Sequence, residues 1–288
     1  MDQLELLASG DDEQRPDLEN RVAFQWRDRQ DTLASRHAAH RDEVILRLLA
    51  EAMNAGPPPK AALDVGCAYG NYSLMLNAML GRDQTIAIRG VDLHEPHLQF
   101  GSAFARDVPG YANCQFSKAD VMTGLPFEDC TFDAVCLADV LEHLDNPVEA
   151  LGELRRVAKP GGSVIVSTPL RTSPFKRLAR VANTISRGLI YRRYYTGKGS
   201  ALDAHGEPVM VVAAGNDHVS EMTLPELERA AEAAGLTVRT VEPMGVMSGS
   251  KWFDAHPFML AGMMLLEAAH SVLRRPAWGH SVVLHLTR

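Results

Sequence analysis

Beyond residue 60, short apolar runs rich in β-branched residues alternate with stretches whose apolar positions recur at helical period. The runs are Ala61–Val65, Thr85–Asp92, Cys114–Lys118, Phe132–Leu137, Ser163–Thr168, Leu236–Val241 and Ser281–Leu286. Such alternation predicts a mostly parallel sheet with helices on both faces, here of seven strands. The intervening helices carry their own punctuation. One runs from Asn71 to Leu80 and stops at Gly81, and the next has Pro96 in its first turn. Asn146-Pro147-Val148-Glu149 and Thr223-Leu224-Pro225-Glu226 each supply an N-cap residue, an early proline and a capping-box glutamate. The first of these helices ends near Val157 before the turn Lys159-Pro160-Gly161-Gly162, and Gly235 ends the second. Ahead of the sheet, about Asp17–Ala55 reads as amphipathic helix, with Val22, Trp26, Leu33, Val44, Leu48 and Leu49 facing inward. Gly56-Pro57-Pro58-Pro59 then breaks the chain.

Two segments stand outside the alternation, at about 171–215 and 243–280. Both are long for connections in a compact domain and read as lids or substrate-binding insertions. The organisation expected is an acidic tail and helical cap over 1–56, followed by one decorated α/β domain over 57–288.

Composition narrows the function. A formal net charge of -7 argues against a general attraction to nucleic acid. The first twenty residues are acidic and have no apolar core, unlike a secretory signal, and the apolar run Phe258–Leu266 is too short to span a bilayer. Cys67, Cys114, Cys130 and Cys136 form no C-x-x-C pair and read as reduced thiols of a cytoplasmic protein.

The chemistry-bearing stretch is Leu63-Asp64-Val65-Gly66-Cys67-Ala68-Tyr69-Gly70, a strand running into a glycine turn and a helix. Gly66 and Gly70 let a ligand approach the backbone at the carboxyl edge of the sheet. Their G-x-x-x-G spacing departs from the dinucleotide fingerprint G-x-G-x-x-G and disfavours a nicotinamide-dependent dehydrogenase.

This stretch resembles motif I of the class I S-adenosylmethionine-dependent methyltransferases, and further motifs follow in the family's order. They are Gly90-Val91-Asp92-Leu93, Lys118-Ala119-Asp120-Val121, Leu125–Asp129 leading into Phe132-Asp133-Ala134-Val135, Leu141-Glu142-His143-Leu144 and Leu154–Gly162. The similarity covers roughly Ala61 to Val241 and is nearest the broad small-molecule, type 11-like branch. It implies a Rossmann-like fold, S-adenosylmethionine as cofactor and a small-molecule acceptor. By the same resemblance Asp92 accepts from both ribose hydroxyls and Asp120 from the adenine amine. Asp64, Gly66, Cys67, Ala68, Gly70, Leu93, Val121, Leu137 and Ala138 complete the cofactor contacts. Ala68 stands where the family usually has glycine, and its methyl group fits a backbone of negative φ.

Methyl transfer from a sulfonium is an in-line displacement, so the protein chiefly aligns the acceptor and excludes water. A hydroxyl acceptor also calls for a base. His143 and Asp139 follow the fourth strand and His218 follows the first insertion, which makes them the candidates, His143 first. His37/His40 and His94/His97 share an i, i+3 spacing without a third ligand, so no metal site is expected. Between Arg171 and Lys198, eight basic residues and interleaved aromatics stand with no acidic one. This suits either a lid or a peripheral contact with an anionic membrane. Three readings remain: methylation of a hydroxyl, or in second place a carbon or nitrogen, on an apolar or aromatic metabolite; methylation of a quinone or lipid at a membrane surface; and an inactive methyltransferase-like scaffold. After the fourth strand, Ala138-Asp139-Val140-Leu141 lacks the Pro-Pro-aromatic motif for nucleic-acid base amines.

Overall fold

Strand β1, Ala61–Val65, is buried at four of its five positions, as a central strand covered on both faces must be. The computed structural model describes residues 33–57, 59–171, 201–202, 208–209, 219–245, 261–262, 264–266, 269 and 278–288. Helix α1 (Leu33–Asn54) precedes β1, and α2 (Asn71–Met79), β2 (Ala87–Asp92), α3 (Glu95–Asp107), β3 (Cys114–Lys118) and β4 (Phe132–Ala138) follow it. After a 3-10 turn at Leu141–His143 come α4 (Pro147–Val157) and β5 (Ala158–Pro169). A two-residue ladder pairs β6 (Ala201–Leu202) with β7 (Pro208–Val209). The chain closes with α5 (Leu224–Ala233), β8 (Thr237–Met244) and β9 (Ser281–Thr287).

The main sheet has seven strands in the order β3-β2-β1-β4-β5-β9-β8. β1 through β5 are parallel, and β9 lies antiparallel between β5 and β8. Alternate residues of each strand face opposite layers. Ala62, Ala134, Cys136, Ile165 and Val283 pack with Val44, Ile45, Leu48, Leu49 and Met53 of α1, together with α2 and α3. Leu63, Val135, Leu137, Val164, Val166 and Leu284 pack on the other face with α4 and α5. The chain therefore reverses direction of winding at β1, and the crevice between β1 and β4 at their carboxyl ends is the topological switch point of such sheets.

The expected elements are present, with shifted ends. The Asp83 carboxylate accepts from the backbone N–H and the hydroxyl of Thr85, a turn that delays β2 to Ala87. Lys159–Gly162 lies within β5 as a bulge: Phe132 pairs with Ala158, yet Ala134 pairs with Ser163. Asn146 caps α4 by accepting from the Glu149 N–H, and the Glu226 carboxylate accepts from the N–H and hydroxyl of Thr223 at the start of α5. Val44, Leu48 and Leu49 are buried as expected, while Val22 and Trp26 lie outside the described residues. Most of both insertions, including 172–198, also lies outside them.

Candidate active site at the carboxyl edge of the sheet

Three loops meet beyond the ends of β1, β2 and β3. In the first, the N–H groups of Gly66 and Cys67 both donate to the Val91 carbonyl, at 2.8 and 3.0 Å. Gly66 has φ +70, and a Cβ there would overlap the Val140 Cγ2 methyl. Only glycine meets both demands. Gly70, at φ +83, closes the turn by donating to the Cys67 carbonyl at 2.8 Å and leads into α2. Ala68 has φ +46, so the alanine in the family's glycine position adopts the left-handed conformation rather than the negative φ its methyl group would favour.

Asp92 ties this loop to the next. Its Oδ2 accepts from the Ala68 N–H and its Oδ1 from the His94 N–H, each at 2.8 Å. Each oxygen keeps acceptor capacity beyond that single donor. Leu93 beside it is 57% exposed, an apolar surface held at the rim of the site. In the third loop the Ala119 N–H donates to the Asp92 carbonyl, and Asp120 Oδ1 accepts from the Met122 N–H at 2.9 Å. Val121 is buried behind them. Among the described residues no cation pairs with Asp92 or Asp120.

Other expected residues sit deeper. Asp64 is buried beneath the first loop, where it accepts from the Ser73 hydroxyl at 3.0 Å. Burial, with a smaller contribution from Asp92, pushes its pKa up to about 7. Burial also raises the Cys67 thiol well above its usual range, which keeps it protonated. Leu137 is fully buried in the core, so at the end of β4 it is the backbone and half-buried Ala138 that border the crevice.

Beyond Ala138 the chain turns sharply. Asp139 has φ +53, its N–H donates to the Ser167 carbonyl at 3.0 Å, and its Oδ1 accepts from the Ser167 hydroxyl at 2.8 Å. Its Oδ2 accepts from Arg41 Nη1 on α1. Both oxygens are thus engaged. The following 3-10 turn carries His143, exposed, and Glu142, buried. Glu142 accepts from the Thr168 hydroxyl at 3.0 Å, and burial raises its pKa. Ser220 holds the turn from the far side: its N–H donates to the Glu142 carbonyl and its hydroxyl to the Leu141 carbonyl. His218 lies outside the described residues, two positions before this anchor.

The sequence reading overlooked Arg41, Asp42 and Tyr72. Arg41 Nε and Nη2 donate to Asp42 Oδ1 at 3.0 Å each, and the Tyr72 hydroxyl donates to the same oxygen. The available signal was two charged residues at the inward spacing of α1, one turn before Ile45 and Leu46. His94 and His97 stand at the start of α3. Their rings lie 4.0 Å apart, and the His97 ring lies tilted against Tyr69 of the first loop, with centroids 4.1 Å apart. Burial, then His94, lowers the pKa of His97. His40 is exposed near Glu43, and no group of three or more candidate metal ligands exists among the described residues.

A switch-point crevice with a glycine turn, a carboxylate at the end of β2 and a third acidic loop defines a nucleoside-cofactor enzyme of the Rossmann-like class. Comparison with known proteins sharpens this: residues 37–241 match the family model described as a methyltransferase domain. The chain belongs to that family, the class I methyltransferases, whose methyl donor is S-adenosylmethionine. It is 35% identical over 114 residues to a demethylmenaquinone methyltransferase from Staphylococcus saprophyticus, a match covering 39% of this chain and 46% of the relative. A Bacillus subtilis protein of the same name is 34% identical over 104 residues, 36% of this chain and 43% of the relative. The chain thus spans less than half the length of these curated relatives. Its fold matches geranyl diphosphate C-methyltransferase from Streptomyces coelicolor A3(2), with TM-score 0.54, 17% identity and coverage of 87% and 80%. Among the described residues no helix is long and apolar enough to cross a membrane.

Proposed function

We propose that this chain transfers the methyl group of S-adenosylmethionine to a small apolar acceptor, with a hydroxyl as the first candidate for the methylated atom. The observation that carries this is Asp92, whose two oxygens each hold one backbone N–H and retain room for a further donor beside exposed Leu93. The cofactor supplies an electrophilic methyl on a ready leaving group. On this reading Asp92 accepts from the ribose hydroxyls, Leu93 covers one face of the adenine and Asp120 accepts from its amine, with Val121 behind. The Gly66–Gly70 turn, with Cys67 and Ala68, accommodates the remainder against Ala138, over the Asp64 carboxylate. Calorimetry should then show S-adenosylhomocysteine binding at micromolar Kd or tighter, about -8 kcal/mol, with no competition from NADH. Saturable NADH binding without a response to S-adenosylhomocysteine would sink the proposal.

His143, exposed on the 3-10 turn that follows β4, is the first candidate base for a hydroxyl acceptor. His143→Ala should lower kcat by roughly 10²–10⁴-fold with cofactor affinity retained. Near-normal turnover in His143→Gln would assign His143 to positioning and move the base to His218. A second reading, methylation of a quinone ring, draws support from the demethylmenaquinone methyltransferase relatives. Mass and NMR analysis of products from phenol and hydroquinone acceptors separates the two, since methoxy and ring-methyl carbons resonate far apart.

A further inference from the structure

Five polar side chains form a continuous relay around the crevice. Ser167 of β5 donates to Asp139 at the end of β4, Arg41 of α1 donates to Asp139 and to Asp42, and Tyr72 of α2 donates to Asp42. Two of its members, Tyr72 and Asp139, flank the glycine turn. Tyr72 stands two residues beyond Gly70, and Asp139 lies between Ala138 and Val140, whose methyl covers Gly66.

The relay is held under some strain. A non-glycine residue in the left-handed region costs about 1–2 kcal/mol, and Asp139 stays there with Ser167 and Arg41 gripping one oxygen each. Burial alone would weaken the charge on Arg41, but the carboxylates of Asp139 and Asp42 outweigh it and raise its pKa above the usual arginine value. The Arg41 and Asp139 side chains remain 24% and 36% exposed, so the pair stands at the end of β4 outside the sealed core. Asp42 is only 7% exposed, which fixes the other half of the relay inside the protein.

We infer that Arg41 is a positioning residue that couples α1 to the cofactor loop, so that filling the crevice clamps the N-terminal helix over the acceptor side. This rests on the cofactor reading proposed above. A ligand seated between the glycine turn and the end of β4 restricts both Tyr72 and Asp139. The Arg41 fork, shared between Asp139 and Asp42, passes that restriction to α1. The helix is then a wall of the reaction chamber that tightens once the cofactor is in place, and water is excluded from the acceptor side in the same step.

Hydrogen–deuterium exchange on the whole chain, with and without S-adenosylhomocysteine, tests the coupling. In the wild type, the ligand should slow exchange in residues 41–54 and 139–144 by about tenfold. In Arg41→Ala and in Tyr72→Phe that slowing should fall below about twofold, with affinity for S-adenosylhomocysteine within about threefold of wild type. Arg41→Lys should fall between, because an ammonium cannot fork across two carboxylates. If Arg41→Ala does not fold, Tyr72→Phe and Arg41→Lys decide. Ligand binding that leaves α1 unprotected overturns the inference. So does full protection in the variants, or faster exchange in the ligand-free variants with the ligand-dependent difference unchanged. Absence of S-adenosylhomocysteine binding in the wild type overturns the proposed cofactor instead, and this inference with it.

Discussion

The carboxylates at the amino end of the sheet and those around the glycine turn are handled in opposite ways. At the amino end, Asp133 accepts from Lys159 at 2.8 Å, Lys60 at 3.1 Å and the Ala61 N–H at 2.9 Å. Burial works to raise its pKa, but Lys159, the Ala61 N–H and Lys60 outweigh burial and hold it below the usual carboxylate range. Arg156 likewise answers Glu153 and Asp129. At the carboxyl end, Asp92 and Asp120 receive only backbone N–H groups among the described residues. Asp64, buried without a cation, rises to about 7. An internally neutralised carboxylate serves the fold. One left with spare acceptor capacity beside a glycine turn and an exposed leucine is prepared for a ligand.

The strongest way to break the comparison is Gly66→Ala. Its positive φ and the Val140 contact should together cost about 2–4 kcal/mol, read as a fall in Tm and loss of S-adenosylhomocysteine binding. Retained binding would show that the turn does not approach a ligand.

Asp64→Asn sharpens it through pH. The folded pKa of about 7 lies above the unfolded value near 4. The folded state therefore holds the proton more tightly, and the contribution of Asp64 to stability, full below about pH 4, is lost as pH rises to about 7. Asn can still accept from Ser73, so the variant should be more stable than wild type at pH 8 by on the order of 2–4 kcal/mol, with the gap closing toward pH 4. Urea titrations across that range check it, and a gap independent of pH would refute the assignment.

Asp92→Ala and Asp133→Asn test the two ends side by side. Asp92→Ala should cost about 2–3 kcal/mol of cofactor affinity. Because Ala68 and His94 lose their acceptor, it should also lower ligand-free stability by about 1 kcal/mol. Asp133→Asn should cost about 1–3 kcal/mol of stability at pH 7 and leave S-adenosylhomocysteine affinity unchanged. With a depressed folded pKa, the Asp133 contribution is present above about pH 4 and disappears as pH falls through the folded value, so the variant should approach wild type in strong acid. Equal effects of the two substitutions on binding would erase the distinction. The smallest effect belongs to Ala68→Gly, which should raise Tm slightly, by about 0.5–1 kcal/mol of stability, because glycine accepts φ +46 without a steric penalty.

Local pattern alone placed the strands and their glycine turn: short apolar β-branched runs, capping residues at Asn146 and Thr223, and Gly66 and Gly70 after β1 are all properties of neighbouring residues. The resemblance of the segments around Asp64, Asp92 and Asp120 to the methyltransferase motifs implied a cofactor crevice, and in a doubly wound sheet each parallel strand ends at the same edge. Tertiary structure alone decided the rest. Arg41 meets Asp139 across 98 positions of sequence. The left-handed turns at Ala68 and Asp139 are imposed by the hydrogen bond Ala68 donates to Asp92 and by those Asp139 accepts from Ser167 and Arg41, rather than by residue preference. A carboxylate becomes a base, an anchor or a ligand acceptor according to which donors the fold brings to it, and no spacing along the chain encodes that meeting.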